Sequence, residues 1–269
     1  QYAIAGLGLV AGFVVLLRLF SMALALLQYF GFALRRQDRR LTVERGLLSR
    51  LRSSVPTRRI QAWTLSEGVV HRLLKRRSLR IDTAIAGKQD DTRGLSELAP
   101  VATPQVCDAL LQRLLPRAQW PLAAWNPLHA NAWWRLWLPG IVFALILSAA
   151  LGWKFGAWGA LGLLWLPWAT FAARQHARRA GYAIDDRLVA VREGWWSRHW
   201  RFAELDKLQA LKLTRSPLDR RFGMATLHLD TAGAGALSPP LRMRYLPDAE
   251  AEALYRRLAR EIARRPLRW

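Results

Sequence analysis

Gln61, Arg72 and Asp82 bring an amide, a guanidinium and a carboxylate into one short stretch. The same three residues return as Gln209, Arg220 and Asp230, each 148 positions later. Arg59 and Lys207 add a cation two places before each Gln. Such a set could form a binding constellation in each copy. The plainer reading is structural. Asp82-Thr83-Ala84 and Asp230-Thr231-Ala232 look like strand-to-turn elements whose Asp side chains bond nearby backbone N–H groups, and a Gln at a strand end can satisfy a backbone group. The remaining chemistry is sparse. His71, His129, His176, His199 and His228 have no metal-ligand spacing and no partner Cys cluster. No Gly-rich phosphate loop, nucleophile elbow or His-Glu-x-x-His stretch occurs. The expectation is therefore no catalytic residue, no metal and no cofactor.

The elements that carry these residues follow from an unusual composition. The 269 residues are 52% hydrophobic with a mean hydropathy of +0.02, yet the formal net charge is +22. Apolar residues gathered in membrane spans, with Arg and Lys outside them, reconcile the two numbers. The 14 Trp residues fit, because indole rings collect at membrane–water interfaces. One Cys, Cys107, excludes an intramolecular disulfide framework. Residues 3–27 predict one transmembrane helix, interrupted by Arg18. Residues 135–173 predict a transmembrane hairpin: Leu136–Trp153 and Phe155–Ala173 hold no ionisable residue, and Lys154 lies in the turn between them. Trp133, Trp134 and Trp137 mark one end of that hairpin, and Trp165 and Trp168 the other.

Between and after the spans, residues 39–87 align without a gap on 187–235, with 14 of 49 positions identical. Each copy alternates as strands do and closes with an amphipathic helix. Pro104 starts the first helix, with Val106, Leu110 and Leu114 on one face; Pro247-Asp248 starts the second, with Ala251, Leu254, Leu258 and Ile262. The predicted domains are 30–116 and 179–265, each a small barrel or sandwich covered by its terminal helix. Residues 117–134, with Trp120-Pro121, Trp125 and Asn126-Pro127, read either as a linker skimming the membrane interface or as an ordinary Pro-rich linker. Trp195-Trp196 could insert into the interface or pack beneath the first turn.

Arginines flank the spans on one side only, so the positive-inside rule puts both domains in the cytoplasm. The N-terminus is then outside, which, with Gln at position 1, leads us to expect a longer parent chain with another span upstream. Arg35, Arg36, Arg39, Arg40, Arg174, Arg178 and Arg179 are the candidate contacts to anionic lipid headgroups, each contributing about 1 kcal/mol near the membrane surface. Nucleic acid is not the expected partner, because so many cations cluster beside spans rather than on an exposed aromatic face.

Three stretches carry a family resemblance. They are Val43-Glu-Arg-Gly-Leu-Leu-Ser-Arg50 with Arg58-Arg-Ile-Gln61, Gly194-Trp-Trp-Ser-Arg198 with Leu208-Gln209, and Ser216-Pro-Leu-Asp-Arg-Arg-Phe-Gly223 running on to Asp230-Thr-Ala-Gly233. They resemble the bacterial pleckstrin-homology-like (PH-like) membrane proteins of the YdbS/YdbT type. The resemblance implies two bent antiparallel β-barrels, each capped by a C-terminal helix, and brings no reaction with it. Where Val55-Pro56 stands in the first copy, the second has Ala203-Glu204, which departs from the pattern. The combined expectation is an α+β membrane protein with three transmembrane helices and two PH-like domains. It would be a non-enzymatic scaffold of the cell envelope in the cytoplasmic (inner) membrane, with lipid and a membrane or cytoplasmic protein as partners and with an oligomer open. The rival expectation is a component of a transport or channel assembly.

Overall fold

The computed structural model describes residues 2–84, 97–116, 118–232 and 240–264. Gly87, Gly233 and Gly235 of the repeat motifs lie outside the described residues. Helix α1 (Tyr2–Tyr29) leads into the first repeat: β1 (Ala33–Gln37), β2 (Arg40–Arg45), β3 (Leu51–Pro56), β4 (Ile60–Glu67), the short helix α2 (Val69–Leu73), β5 (Arg77–Thr83), β6 (Glu97–Ala102) and α3 (Pro104–Leu114). A two-residue strand, β7 (Asn126–Pro127), precedes α4 (Ala132–Phe155), a 3-10 stretch (Gly156–Leu164) and α5 (Trp165–Arg179). The second repeat comprises β8 (Gly181–Ile184), β9 (Leu188–Glu193), β10 (Arg198–Glu204), β11 (Leu208–Thr214), α6 (Pro217–Arg221), β12 (Met224–Thr231), β13 (Arg242–Pro247) and α7 (Asp248–Ala263).

Two helical stretches are apolar and long enough to cross a bilayer, Gly12–Tyr29 and the 48-residue run Ala132–Arg179. Only 0% and 6% of them, respectively, is buried inside the protein, so they are not the core helices of a soluble globule. The longer run doubles back. A side chain added at Gly159 would meet the Gly152 Cα at 2.5 Å, and one at Gly162 would meet the Ser148 backbone nitrogen at 2.5 Å. The Ser148 hydroxyl donates to the Gly159 carbonyl at 2.7 Å. Lipid supplies no hydrophobic drive for helices to associate, so close backbone approach through small residues takes its place. The second arm, expected as α-helix from Phe155, begins instead as a 3-10 stretch. Replacing Gly159 with Leu should force the arms apart and expose the hairpin to protease in reconstituted membranes. Unchanged protection would disprove this close packing.

The β-structure differs from two separate barrels. Strands β1–β2–β3 form one sheet and β11–β12–β13 another. Between them lies a single seven-stranded sheet in the order β6-β5-β4-β10-β9-β8-β7. It arises because β4 of the first repeat pairs antiparallel with β10 of the second, from Arg198 opposite Glu67 to Phe202 opposite Trp63. The hydrophobic cores are shared accordingly. Phe202, Leu188 and Ala190 of the second repeat pack into the first core, and Ala62 of the first packs into the second.

Strand direction gives the molecule two ends. Gly46 and Leu47, in the β2–β3 turn, donate backbone N–H groups to Phe30 and Leu27 at the end of α1 (2.9 and 3.0 Å). The antiparallel order then sends α2, the β9–β10 turn and α6 to the same end, the one that adjoins α1. The β1–β2 turn, the 3-10 turns Thr57–Arg59 and Leu205–Lys207, and the β8–β9 turn lie at the far end. Each β-turn at the α1 end needs its glycine. Gly46 and Gly194 have φ of 109° and 80°, and a Cβ on either would lie 2.1 or 1.9 Å from the carbonyl oxygen of Ser49 or Ser197.

Helices α3 and α7 close the two repeats as the periodicity suggests. Thr103 caps α3, its hydroxyl accepting from the Val106 N–H at 3.4 Å. The buried face of α3 is nonetheless Cys107 and Leu111, while Val106 is exposed. The segment before the hairpin is not a membrane-skimming linker at its first tryptophan. Trp120 is buried in the first core, its indole N–H donating to Asp108 at 2.9 Å, because an interior with room for an aromatic ring outcompetes the bilayer surface.

Candidate functional site

The repeated polar residues do not converge. Gln61 lies at the far end of β4, where its side-chain amide reaches the Arg59 carbonyl at 3.5 Å. Arg59 and Gln209 are exposed at the same end. Arg72 sits beyond the opposite ends of β4 and β5, roughly 15–20 Å away along the strands. There it donates to the Trp195 carbonyl at 3.1 Å. Its counterpart Arg220 is exposed on α6, and Asp230 is exposed on β12. Only Asp82 enters a built site, and it does so with a residue that has no repeat counterpart.

That site is the β4–β10 junction. Arg201 on β10 is 4% exposed and ion-pairs with Asp82 on β5 across β4. Its guanidinium also donates to the Thr64 hydroxyl at 3.0 Å. Phe202, fully buried, lies between Trp63 and Trp120, with ring centroids 6.4 and 4.4 Å away. Towards the end that adjoins α1, Glu67 takes Arg77 at 3.4 Å and Arg198 at 3.9 Å. Burial, with Arg72 nearby, pushes the Arg198 guanidinium below its ordinary range. At the far end Lys207 donates to the Arg58 carbonyl at 3.1 Å, a further link between repeats. A charge buried without a partner is costly, so these ion pairs fix which strands can meet. Sequence reasoning passed over Arg201 because it searched for residues that repeat. Arg201 stands where the first copy has Ser53.

His199 bridges two hydroxyls at this seam, Ser66 and Ser197, each at 3.1 Å from a ring nitrogen. Burial lowers its pKa, opposed by Glu193 and reinforced by Arg80. The unfolded chain, with an ordinary His pKa of about 6.5, takes up a proton that the folded site resists. Stability is thus fully present above about pH 6.5 and declines as the pH falls below it. His199→Gln should flatten this slope in thermal unfolding between about pH 7.5 and 5.5; an unaltered slope would rule out His199 as its source.

The candidate lipid contacts fall into two groups. Arg35, Arg36, Arg39 and Arg40 are exposed on the β1–β2 hairpin, whose turn lies at the far end; Arg36 donates to the Arg113 carbonyl at 2.9 Å. The other group lies on the last turns of α5. Arg174 stacks over Trp133 at 4.8 Å, Arg179 over Trp200 at 5.6 Å, and Arg178 is exposed. Trp195 packs edge-on against Trp168 and Phe171 of α5, at 5.9 and 5.6 Å, while Trp196 projects outward. Helix α6 is fastened to the start of α4 by Arg135, which donates to Asp219 at 2.8 Å and to Ser216 at 3.3 Å. No group of three or more metal-ligating side chains occurs among the described residues.

A family model described as bacterial PH domain matches this chain twice, over residues 2–114 and 135–262. The chain is also similar to the UPF0699 transmembrane protein YdbT of Bacillus subtilis (strain 168), at 22% identity over 210 residues. That alignment takes in 78% of this chain and 42% of the relative, so the chain spans less than half of the relative's length. Each match begins with an apolar helix and ends with the helix that closes a repeat, the same unit that the geometry defines. With apolar stretches that lie bare on the protein's surface and two such units joined through one sheet, this is a membrane protein, and it belongs to the bacterial PH domain family.

Proposed function

We propose that the chain is a non-enzymatic scaffold of the cell envelope. It crosses the cytoplasmic membrane three times, once through α1 and twice through the α4–α5 hairpin, and holds both PH-like domains on the cytoplasmic side. The observation that carries this reading is the β4–β10 junction. It turns two domains into one stiff platform, which suits presentation of a fixed surface better than two independently tethered modules would. The ion pairs at Arg201, Glu67 and Arg135 hold elements together, which is positional work rather than acid–base chemistry. The orientation follows from the arginines that flank the spans, and Arg174, Arg178 and Arg179 are the cations best placed beside anionic headgroups.

Among the sheet edges, β3 and β11 are the repeat counterparts of the paired strands β10 and β4. Arg52 and Lys212 lie on them, at repeat positions that Trp200 and Thr64 fill in the paired strands β10 and β4. Cations on an open edge discourage pairing with another copy of the same chain. They favour instead an extended partner segment that carries carboxylates, added as a further strand. A photo-crosslinking residue at position 52 or 212 of the intact protein in native membranes should trap a discrete protein, whereas position 186 in the β8–β9 turn should not. Equal trapping at all three positions, or none at any, would defeat this reading. A transport or channel role would need polar side chains along the spans. Arg18, Ser21 and Gln28 are what α1 offers between its ends, and Ser148 in α4 already serves the Gly159 carbonyl.

A further inference from the structure

Most of the large apolar side chains left exposed outside the spans, Val101 on β6 and Val106 on α3 apart, gather in one region. Leu48 in the β2–β3 turn, Val70, Leu73 and Leu74 on and after α2, Trp196 in the β9–β10 turn and Leu218 on α6 all occupy one end of the molecule. Leu48 is 85% and Leu73 83% exposed, values common for an isolated surface residue but seldom met in a cluster facing water. Among the described residues, the turns at the opposite end (Gln37–Arg40, Thr57–Arg59, Asp185–Arg187 and Leu205–Lys207) contribute none of them.

Each of these four structures is tied directly to a membrane-spanning segment or to a neighbour that is. The β2–β3 turn bonds the end of α1 through Gly46 and Leu47. The β9–β10 turn rests on Trp168 and Phe171 of α5 through Trp195. Helix α2 is joined to that turn by Arg72. Helix α6 is held to the start of α4 by Arg135. Four protrusions fastened to the ends of helices that enter a bilayer must lie close to its surface. Their polar neighbours match that place, since Arg72, Lys75 and Arg76 surround the apolar residues of α2, and Arg220 and Arg221 follow Leu218. Apolar side chains framed by guanidinium and ammonium groups are the composition of a segment that lies in the headgroup layer.

We propose that these four turns form a membrane-embedded rim, seated in the headgroup layer of the same bilayer that the spans cross. Its apolar side chains reach the acyl boundary and its cations pair with lipid phosphates. The platform is thereby pressed flat against the membrane at both repeats, rather than hanging from its helices. This proposal rests on the membrane anchoring given above, and its test separates the two ideas. The intact chain, reconstituted alone in lipid nanodiscs, would carry one nitroxide label at position 48, 73 or 218, with position 143 in α4 as the lipid reference and position 186 as the aqueous one. Cys107 is fully buried and can be replaced by Ser to leave a single labelling site. The expected result is loss of collision with an aqueous nickel reagent and gain of collision with oxygen at the three rim positions, as at 143, while 186 stays open to nickel. Nickel access at the rim equal to that at 186, with 143 still protected, would overturn the rim and leave the anchoring intact. Nickel access at 143 as well would overturn both. If the labels at 73 and 218 disturb folding, the fluorescence of an environment-sensitive dye at position 48 provides the same comparison.

Discussion

Phe202→Ala is expected to weaken the first repeat, although Phe202 belongs to the second. The ring is fully buried, stacks against Trp63 and Trp120, and counts among the residues of the first hydrophobic core. Removing a buried phenylalanine costs about 3–5 kcal/mol, through lost transfer energy and the cavity left behind. The reporter is at hand. Cys107 is buried in that same core, and burial raises the pKa of its thiol, so it reacts with alkylating reagents only when the core opens. In Phe202→Ala, Cys107 should become reactive at clearly lower denaturant than in the parent chain. A comparable lesion confined to the second core, Leu258→Ala, should affect Cys107 much less. Identical Cys107 protection in parent and Phe202→Ala would show that the repeats stand independently and that the platform is not one body.

The second large effect concerns Arg201. Arg201→Ala withdraws the guanidinium from Asp82 and from the Thr64 hydroxyl in a largely buried site, and breaking a buried pair from one side typically costs about 3–5 kcal/mol. Asp82→Ala should cost a similar amount, because Arg201 would then keep its charge with no carboxylate opposite. Since both changes remove one interaction, the double variant should be far less destabilised than the sum of the single ones. The resulting coupling should be at the upper end of the 0.5–3 kcal/mol found for contacting residues. Replacing the pair with apolar side chains of similar size should recover most of the loss. Strict additivity in chemical unfolding would mean that Arg201 and Asp82 act separately, and the pairing of β4 with β10 would then need another explanation.

Much of the architecture was legible because the chain states it twice. The 14 identities shared by residues 39–87 and 187–235 include Gly46 and Gly194, and those glycines mark two equivalent turns with positive φ. The helix face containing Ala251 and Leu258 follows from 3.6-residue spacing, whereas in α3 the face read as Val106, Leu110 and Leu114 is turned so that Cys107 and Leu111 are the buried positions. What periodicity does not report is which sheet edge meets which, since alternation specifies faces and not neighbours. A signal of the junction was nevertheless present, in the mismatches rather than the matches. Trp200, Arg201 and Phe202 stand against Arg52, Ser53 and Ser54, and Trp63 and Thr64 against Leu211 and Lys212. The repeat diverges where one copy is buried against its sibling and the other is left at an edge. The same blindness explains the candidate residues. Gln61, Arg72 and Asp82 repeat faithfully, yet the strands carry them to different ends: Asp82 pairs with Arg201 and Arg72 with the Trp195 carbonyl of the second repeat, while Gln61 reaches the Arg59 carbonyl of its own copy.

The junction also sets a timetable. β4 closes on a strand more than 130 residues further along, and the entire α4–α5 hairpin is made in between. At ribosomal speeds of about 5–20 residues per second, that interval lasts on the order of ten seconds. Throughout it the newborn first repeat holds an open edge and a core lacking Phe202, the very condition in which nascent chains capture wrong partners. Completion of the amino-terminal half is therefore deferred until the hairpin has been made and the carboxy-terminal half has emerged, so that the last part of the chain acts as a gate on the maturation of everything made before it.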